Sequence, residues 1–277
     1  MRLGFMIYSL GRSLAAGDLD VPGALALMKE LGTEGVDISQ WHVTELTNAQ
    51  VRTMVADAGL DMASYIGGAN LCTPDPSVRA ESLDAIKVVI DNAAECGAPS
   101  ALITTGACAP DQDRTEGRKL VAAGLAELLP QAKAAGVTLT IEDFGSLLAP
   151  YQTGAEVLEC SEWAGPEMMI TYDSGNMIMG DEDPVAALEI MKPRVVHAHA
   201  KDWALLPADA DPRVMARSGK NYIGAVTGSG VLDYPAILDA LQAMEYEGYL
   251  AFEYEGPDDP VAAARQGMAY LREQMEA

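Results

Sequence analysis

The 277-residue chain carries 41 acidic against 18 basic residues, a formal charge of −23, and 49% of it is hydrophobic. A field of that sign repels nucleic acid and anionic lipid, so both are excluded as natural partners, while the apolar content suffices for one sizeable core. No stretch approaches the roughly 20 apolar residues of a membrane span. Met1-Arg2 runs straight into Leu3-Gly4-Phe5-Met6-Ile7-Tyr8 without the features of a secretory leader, which points to the cytoplasm.

Eight short β-rich segments follow one another along the chain, at residues 3–9, 35–39, 62–66, 101–105, 137–142, 169–173, 195–199 and 249–253. Amphipathic segments with apolar spacings of three and four lie between them, as in Val51, Met54, Val55 and Ala58, or Leu83, Ile86, Val89, Ile90 and Ala93. Gly32, Gly59, Gly97, Gly136 and Gly248 close helical stretches just before strands, where the left-handed conformation is cheap for glycine. Asp20, Thr47, Asp113 and Thr153 stand where a side-chain oxygen caps the next helix. Strand and helix in strict alternation imply a parallel sheet, and eight units in one chain favour a closed (β/α)₈ barrel, an α/β fold forming a single domain over residues 1–277. The first strand lacks a Gly-x-Gly-x-x-Gly after it, which weakens a dinucleotide-binding alternative.

The connection between the last two strands is unusually long. Residues 204–230 contain Pro, Gly and Asp with little periodicity and read as an irregular loop over the catalytic face. Cys72, Cys96, Cys108 and Cys160 are scattered, with no C-x-x-C pair, and read as reduced structural thiols.

In a parallel barrel every strand ends at the same mouth. The fifth strand ends in Glu142, the sixth in Asp173, the seventh contains His199, and the eighth ends in Glu253. Like charges that close together stay ionised only around a cation, and three oxygens with one nitrogen suit a single divalent metal: Mn²⁺ first, then Mg²⁺ or Co²⁺, with Zn²⁺ less favoured. Taken singly, each carboxylate reads better as a cap or an ion-pair partner; the set of four carries the argument. Residues two apart on a strand share a face, so His197 sits one layer below His199 and Lys201 one layer above. His197 then reads as core with one hydrogen bond. Lys201 reads as a substrate-facing cation or as a partner of Asp202 or Glu255. Tyr8, Trp41, His42 and Trp203 stand at the mouth, where rings either stack on a sugar or plug the core, and Arg217 and Lys220 lie in the long loop. Tyr8, His42, Lys201, Trp203 and Arg217 are the substrate-binding candidates.

The run His197-Ala198-His199-Ala200-Lys201-Asp202 resembles the H-x-H-x-K-D element of the xylose-isomerase-like barrel superfamily. That group includes sugar phosphate isomerases/epimerases, ketose 3-epimerases, hydroxypyruvate isomerases, inosose dehydratases and AP endonucleases. Asp173 with Gly175-Asn176, and Gly228-Ser229-Gly230-Val231-Leu232-Asp233 before a helix, agree with it, and the resemblance covers essentially the whole chain. It implies Glu142, Asp173, His199 and Glu253 as metal ligands, with Glu142 and Glu253 also the acid/base pair on either face of the substrate carbon. The implied activity is isomerisation or epimerisation of a small sugar or cyclitol by removing the proton next to a carbonyl, through a metal-stabilised enediolate. The same intermediate serves a dehydratase or other lyase of a keto-sugar or inosose. A barrel that binds sugar without chemistry needs neither of two bases. The three-zinc nuclease branch needs more histidine than His42, His197 and His199 supply. Helices on the outside of such a barrel also suit a homo-oligomer.

Overall fold

The computed structural model describes residues 1–143, 145–211 and 213–276. Its strands are β1 (Arg2–Met6), β2 (Gly35–Ser39), β3 (Asp61–Gly68), β4 (Ser100–Thr104), β5 (Thr138–Ile141), β6 (Met169–Asp173), β7 (Val195–Ala200), β8 (Asp202–Leu205), β9 (Val214–Met215), β10 (Asn221–Ala225) and β11 (Tyr249–Phe252). Its α-helices are α1 (Gly11–Ala16), α2 (Val21–Glu30), α3 (Asn48–Asp57), α4 (Pro76–Cys96), α5 (Arg114–Ala135), α6 (Gly154–Ala164), α7 (Pro184–Met191), α8 (Tyr234–Ala243) and α9 (Pro260–Glu276). Strands β1 to β7 and β11 close into a parallel barrel in the order β1-β11-β7-β6-β5-β4-β3-β2. The eight expected strands are these eight, displaced by a residue or two at several ends and by three at the end of β1, where Ile7–Leu10 form a 3-10 turn instead.

Alternation along the strands divides the apolar residues between two environments. Leu3 and Phe5 of β1, Tyr65 of β3, and Ala101 and Ile103 of β4 join the large core between strands and helices. Met6, Ile66 and Leu102, one residue out of phase with them, form a separate buried cluster inside the barrel. The interior between β5 and β6 is polar but satisfied, since the Thr171 hydroxyl donates to Thr140 Oγ1 at 2.8 Å.

The helix boundaries follow the expected chemistry. Asp20, Thr47, Asp113 and Thr153 each accept a backbone N–H as N-caps, and Thr47 with Gln50 completes a capping box. Gly32, Gly59, Gly97 and Gly136 take φ of 84°, 68°, 81° and 72°. Gly248 does not take positive φ. The chain leaving α8 turns instead through Glu245 at φ 55°, and Gly248 is small because a Cβ there would overlap the Tyr246 phenol.

The stretch 204–230 is not the irregular loop its composition suggests, although Pro212 within it lies outside the described residues. Antiparallel pairing joins β8 to β10 and β10 to β9 into a three-stranded sheet. Its strands are short and half exposed, so they carry no strong period. The base of this excursion is tied by Asp202. That carboxylate accepts the backbone N–H of Trp203 at 2.8 Å, Gly228 at 3.0 Å, Gly230 at 2.9 Å and Leu232 at 3.3 Å. The lysine–aspartate step and the Gly-Ser-Gly run, distant in sequence, are two halves of one clamp.

All four cysteines are free and buried, and the fold brings Cys72 and Cys108, which the sequence leaves far apart, to 3.1 Å between sulfurs. Burial raises the Cys160 thiol to about 12 and the Cys96 thiol to about 11, so both are protonated and inert at neutral pH. No helix among the described residues is long and apolar enough to cross a membrane.

The last strand depends on a close helix contact. Phe252 is fully buried, 5.1 Å from the Phe5 ring between centroids, and its edge occupies the space a Cβ would take on Gly267 of α9. Gly267→Ala is expected to displace that ring and lower stability by about 1–3 kcal/mol, the usual range for overpacking, read as a lower urea midpoint with unchanged slope.

Candidate metal centre

Four neighbouring strands of the barrel, β5, β6, β7 and β11, deliver the four expected ligands to one point. Pairing in register sets Asp173 beside His199, and Ala251 beside His199, so Glu253 emerges one step above the imidazole; its N–H donates to Ala200 O at 3.1 Å. Glu142 follows the last residue of β5 directly. One ligand atom from each of Glu142, Asp173, His199 and Glu253 lies within 4.8 Å of every other, and all four residues are buried.

Several of these atoms are orphaned. His199 Nδ1 lies 3.0 Å from Glu142 Oε2 and 3.1 Å from Glu253 Oε2. Yet all three atoms lack a hydrogen-bond partner among the described residues. Buried polar atoms left in that state are costly unless something else satisfies them. A divalent cation does so for converging lone pairs, and the donor set of three carboxylates and an imidazole fits one.

The tautomer of His199 is fixed from across the barrel. Asp37, on β2, is fully buried and accepts from His197 Nε2 at 2.7 Å and from His199 Nε2 at 3.1 Å. With a proton held on Nε2, His199 turns Nδ1 to the centre, the arrangement of a metal-ligating histidine with a carboxylate behind it. Burial opposes charge on the ring, but without a cation Glu142, Asp37 and Glu253 raise it well above its ordinary value, so metal would displace a proton from Nδ1. His197 is thus the buried, hydrogen-bonded layer that strand parity requires. Burial alone would raise the Asp37 carboxyl; the two imidazoles reverse this and hold it below the usual range. Sequence reasoning passed over Asp37. Its signal was a carboxylate within the buried run Val36-Asp37-Ile38, where an unpaired acid is expensive.

The electrostatics show how crowded the cluster is. Burial, then Glu253 and Glu142, raise Asp173 to about 7 despite the opposing pull of Lys201 and His199. Asp143, adjacent to Glu142, is fully buried with no partner on either side-chain oxygen among the described residues, and burial together with Asp173 and Glu142 pushes it well above the carboxylate range. Glu253 moves the other way. Burial opposes its charge, but Lys201 Nζ, 2.7 Å from Oε1, and His199 hold it well below the usual value. Lys201, buried itself, also reaches Asp173 at 3.3 Å and Glu255 at 3.1 Å, and these carboxylates keep it charged. It pairs with Glu255 and not with Asp202, whose carboxylate is taken by the clamp. Asp173 is oriented by the N–H of Gly175 at 2.7 Å, the N–H of Asn176 at 3.0 Å and the Asn176 side-chain amide at 3.0 Å.

Above this centre lies a cavity of about 290 Å³. Glu142, Glu253, Lys201 and Asn176 line one side, and Met6 and Ile66 of the apolar cluster line the other. Tyr8, Trp41 and Trp203 form part of its wall. Of the remaining expected residues, His42 faces a larger adjoining cavity and not this one. Arg217 lines neither. Its guanidinium donates to Gln152 Oε1 at 2.8 Å and to Glu156 Oε2 at 2.5 Å, fastening the small sheet to the loop after β5. Lys220 is exposed.

The fold is thus a closed parallel barrel with acids and an imidazole that could hold a metal ion gathered at its strand ends. A family model described as the xylose isomerase-like TIM barrel matches residues 25–274, and the chain belongs to that family. Among curated proteins it is similar to the inosose dehydratase of Lacticaseibacillus casei, 26% identical over 147 residues, 52% of this chain and 48% of that protein. It is also similar to the inosose dehydratase of Geobacillus thermodenitrificans, 29% identical over 131 residues, 44% of this chain and 43% of the other. The chain spans about half the length of the curated relatives it matches. Among solved structures, an L-ribulose 3-epimerase shares the fold with a TM-score of 0.77 at 20% identity, covering 99% of this chain and 94% of that one. A D-psicose 3-epimerase with D-tagatose from Clostridium cellulolyticum H10 gives 0.78 at 14% identity, with both chains covered in full, 100% each.

Three outcomes follow for metal. Mn²⁺ at a hundredfold excess over its dissociation constant is expected to stabilise the protein by about 2.7 kcal/mol, visible as a melting temperature several degrees higher than in chelator. Asp173→Asn should abolish that shift. Asp37→Asn should weaken metal affinity by roughly 10–100-fold, measured by competition with a chelating dye, while leaving the four ligands in place.

Proposed function

We propose that the protein is a divalent-metal-dependent isomerase or epimerase of a small keto-sugar or cyclitol, acting by proton abstraction next to a carbonyl. The observation that carries this reading is the convergence of Glu142, Asp173, His199 and Glu253 around orphaned lone pairs, at the floor of a cavity that both glutamates line. A bound cation, with Mn²⁺ the best match to so oxygen-rich a set, would draw charge from the substrate's carbonyl and neighbouring hydroxyl. The chain's own residues supply the rest. Glu142 and Glu253 reach the cavity from strands on either side of β6 and β7, so a substrate carbon between them meets a carboxylate on each face. One carboxylate removes the α-proton. The conjugate acid of the other returns a proton to the opposite face, inverting that carbon, or to the former carbonyl carbon, exchanging aldose for ketose. Lys201, salt-bridged to Glu253 and lining the same cavity, keeps that carboxylate ionised and places a positive charge near the developing oxyanion. Met6 and Ile66 exclude water from the facing wall.

A second reading is dehydration. It is favoured by the curated relatives' being inosose dehydratases. The first step is the same α-proton transfer to a carboxylate. The electron pair then expels a hydroxyl on the next carbon, which takes up a proton and leaves as water.

Glu142→Gln and Glu253→Gln should each slow turnover by roughly 10²–10⁴-fold, the usual worth of a positioned general base. The assay is NMR of the Mn²⁺-loaded protein in D₂O with ketoses and ketocyclitols. Metal-dependent loss of the α-proton signal supports enolisation, and the appearance of an alkene or dione product selects dehydration. Full activity in both variants would falsify the two-carboxylate mechanism.

A further inference from the structure

The cavity over the metal centre is not the whole of the space at the barrel mouth. A second cavity of about 610 Å³, roughly twice the inner one's 290 Å³, opens beside it. Tyr8, Trp203, Val214 and Glu255 line both, so the two are neighbouring compartments divided by a shared wall. An inner space of that size sits at the lower end of small-molecule sites, and a single sugar ring leaves the outer one empty.

The outer compartment is built from fixed parts. One side is β10 of the small sheet, which packs so tightly on the chain after β11 that a Cβ on Gly224 would fall 2.6 Å from the backbone of Glu255 and Gly256. Another is residues 256–258, whose carbonyl oxygens are gathered by the Arg12 guanidinium, at 2.9 Å from Gly256 O and 3.0 Å from Pro257 O. Arg12 is therefore committed to the wall. Burial lowers the His42 imidazole below its ordinary value, so this lining residue is neutral at pH 7. Lys201, the cation of the inner cavity, is already surrounded by carboxylates. Of the cations at the mouth, Arg12 and Lys201 are thus committed to other partners and only the exposed Arg213 is left on the outer wall, so most of this lining suits an uncharged polar ring better than a phosphate ester. Trp203, 2% exposed, carries an indole N–H with no hydrogen-bond partner among the described residues and lies on both cavities. Tyr8 offers a half-exposed ring at the junction and Tyr254 a ring in the outer wall. Aromatic faces with a few unspent polar groups are what the C–H faces and hydroxyls of a pyranose require.

We propose that the outer cavity is a subsite for a second sugar ring, so that the natural substrate is a glycosylated keto-sugar of the disaccharide class, its reacting ring over the metal centre and its substituent between Tyr8, Trp203 and Tyr254. This rests on the proposed enolising activity for which ring reacts, but binding reports on the subsite independently.

The test uses full-length protein with Mn²⁺ and isothermal titration calorimetry. The probes are D-fructose and four of its reducing glucosyl derivatives, turanose, maltulose, leucrose and isomaltulose, which attach glucose at different oxygens. At least one disaccharide should bind roughly tenfold or more tightly than D-fructose. Ala15→Trp, at an exposed position of α1, and Ile223→Trp, on the opposite wall, both fill the outer cavity alone. At least one of them should erase the disaccharide's advantage and leave D-fructose affinity within twofold of the parent. If no disaccharide binds more tightly than D-fructose, or the advantage survives in both variants, the subsite does not exist. Deuterium exchange on the same sugars separates the two readings. Tighter disaccharide binding without exchange keeps the subsite and removes the enolase chemistry; exchange on D-fructose without tighter disaccharide binding does the reverse.

Discussion

Three buried carboxylates held around one imidazole nitrogen are the constraint on which the rest of this molecule turns. At a separation of 4.8 Å or less, two like charges repel by about 3–4 kcal/mol even at an effective dielectric of about 20. An isolated loop would relax away from such a cost. Here each acid is anchored at the end of a strand hydrogen-bonded to the next, so relieving the repulsion would mean opening the barrel. The field is balanced by what the fold places nearby. Lys201 lies among Glu253, Asp173 and Glu255, and Asp37 holds the proton of His199 on the far nitrogen. Asp173, raised to about 7, and Asp143, raised well above the carboxylate range, are the residue of an imbalance that a cation would reduce.

The strand alternation of β7 shows how one sequence run serves three purposes. His197, His199 and Lys201 share a parity and face the interior, forming in turn a buried hydrogen-bonded layer, a candidate ligand and a cation. Ala198 and Ala200, of the other parity, are small and fully buried in the core between barrel and helices. Asp202 then leaves the barrel and closes the base of the small sheet. Because that sheet supplies Trp203 and Val214 to the cavity, the clamp couples the position of the ligand strand to the wall against which substrate rests.

Much of the barrel was legible because its signals are local. Capping side chains, glycines after helices and short apolar runs act over a few residues, and Asp20, Thr47, Asp113 and Thr153 do what their positions imply. The convergence of Glu142, Asp173, His199 and Glu253 was legible because a parallel barrel sends every strand end to one place. Asp37 was not, since its partner His199 stands 162 residues away and only the closed barrel makes them neighbours. Asp143 was hidden by Glu142 beside it: two successive acids point to different sides of a strand end, and sequence does not say which is paired. Gly248 was misread because a small residue before a strand fits two causes, a left-handed turn and a close ring, and here the Tyr246 phenol is the reason. Residues 204–230 were misread because short, half-exposed antiparallel strands lack the apolar period that marks the barrel strands.

The same distinction explains why family was easier to read than substrate. The ligands and their supports occupy strand ends, where geometry is dictated by the barrel and tolerates little variation. The surfaces that would distinguish one sugar from another, Tyr8 and Trp41 after β1 and β2 and Trp203 and Val214 on the small sheet, come from connections. Connections are free to change length and shape without disturbing the parallel sheet. On the proposed function, the cluster of acids would carry out proton transfer beside a carbonyl, while the shape of the mouth would decide what is presented to it. In this chain the mouth has an inner chamber over the acids and a larger outer one behind a shared aromatic wall, and that asymmetry separates its chemistry from its selectivity.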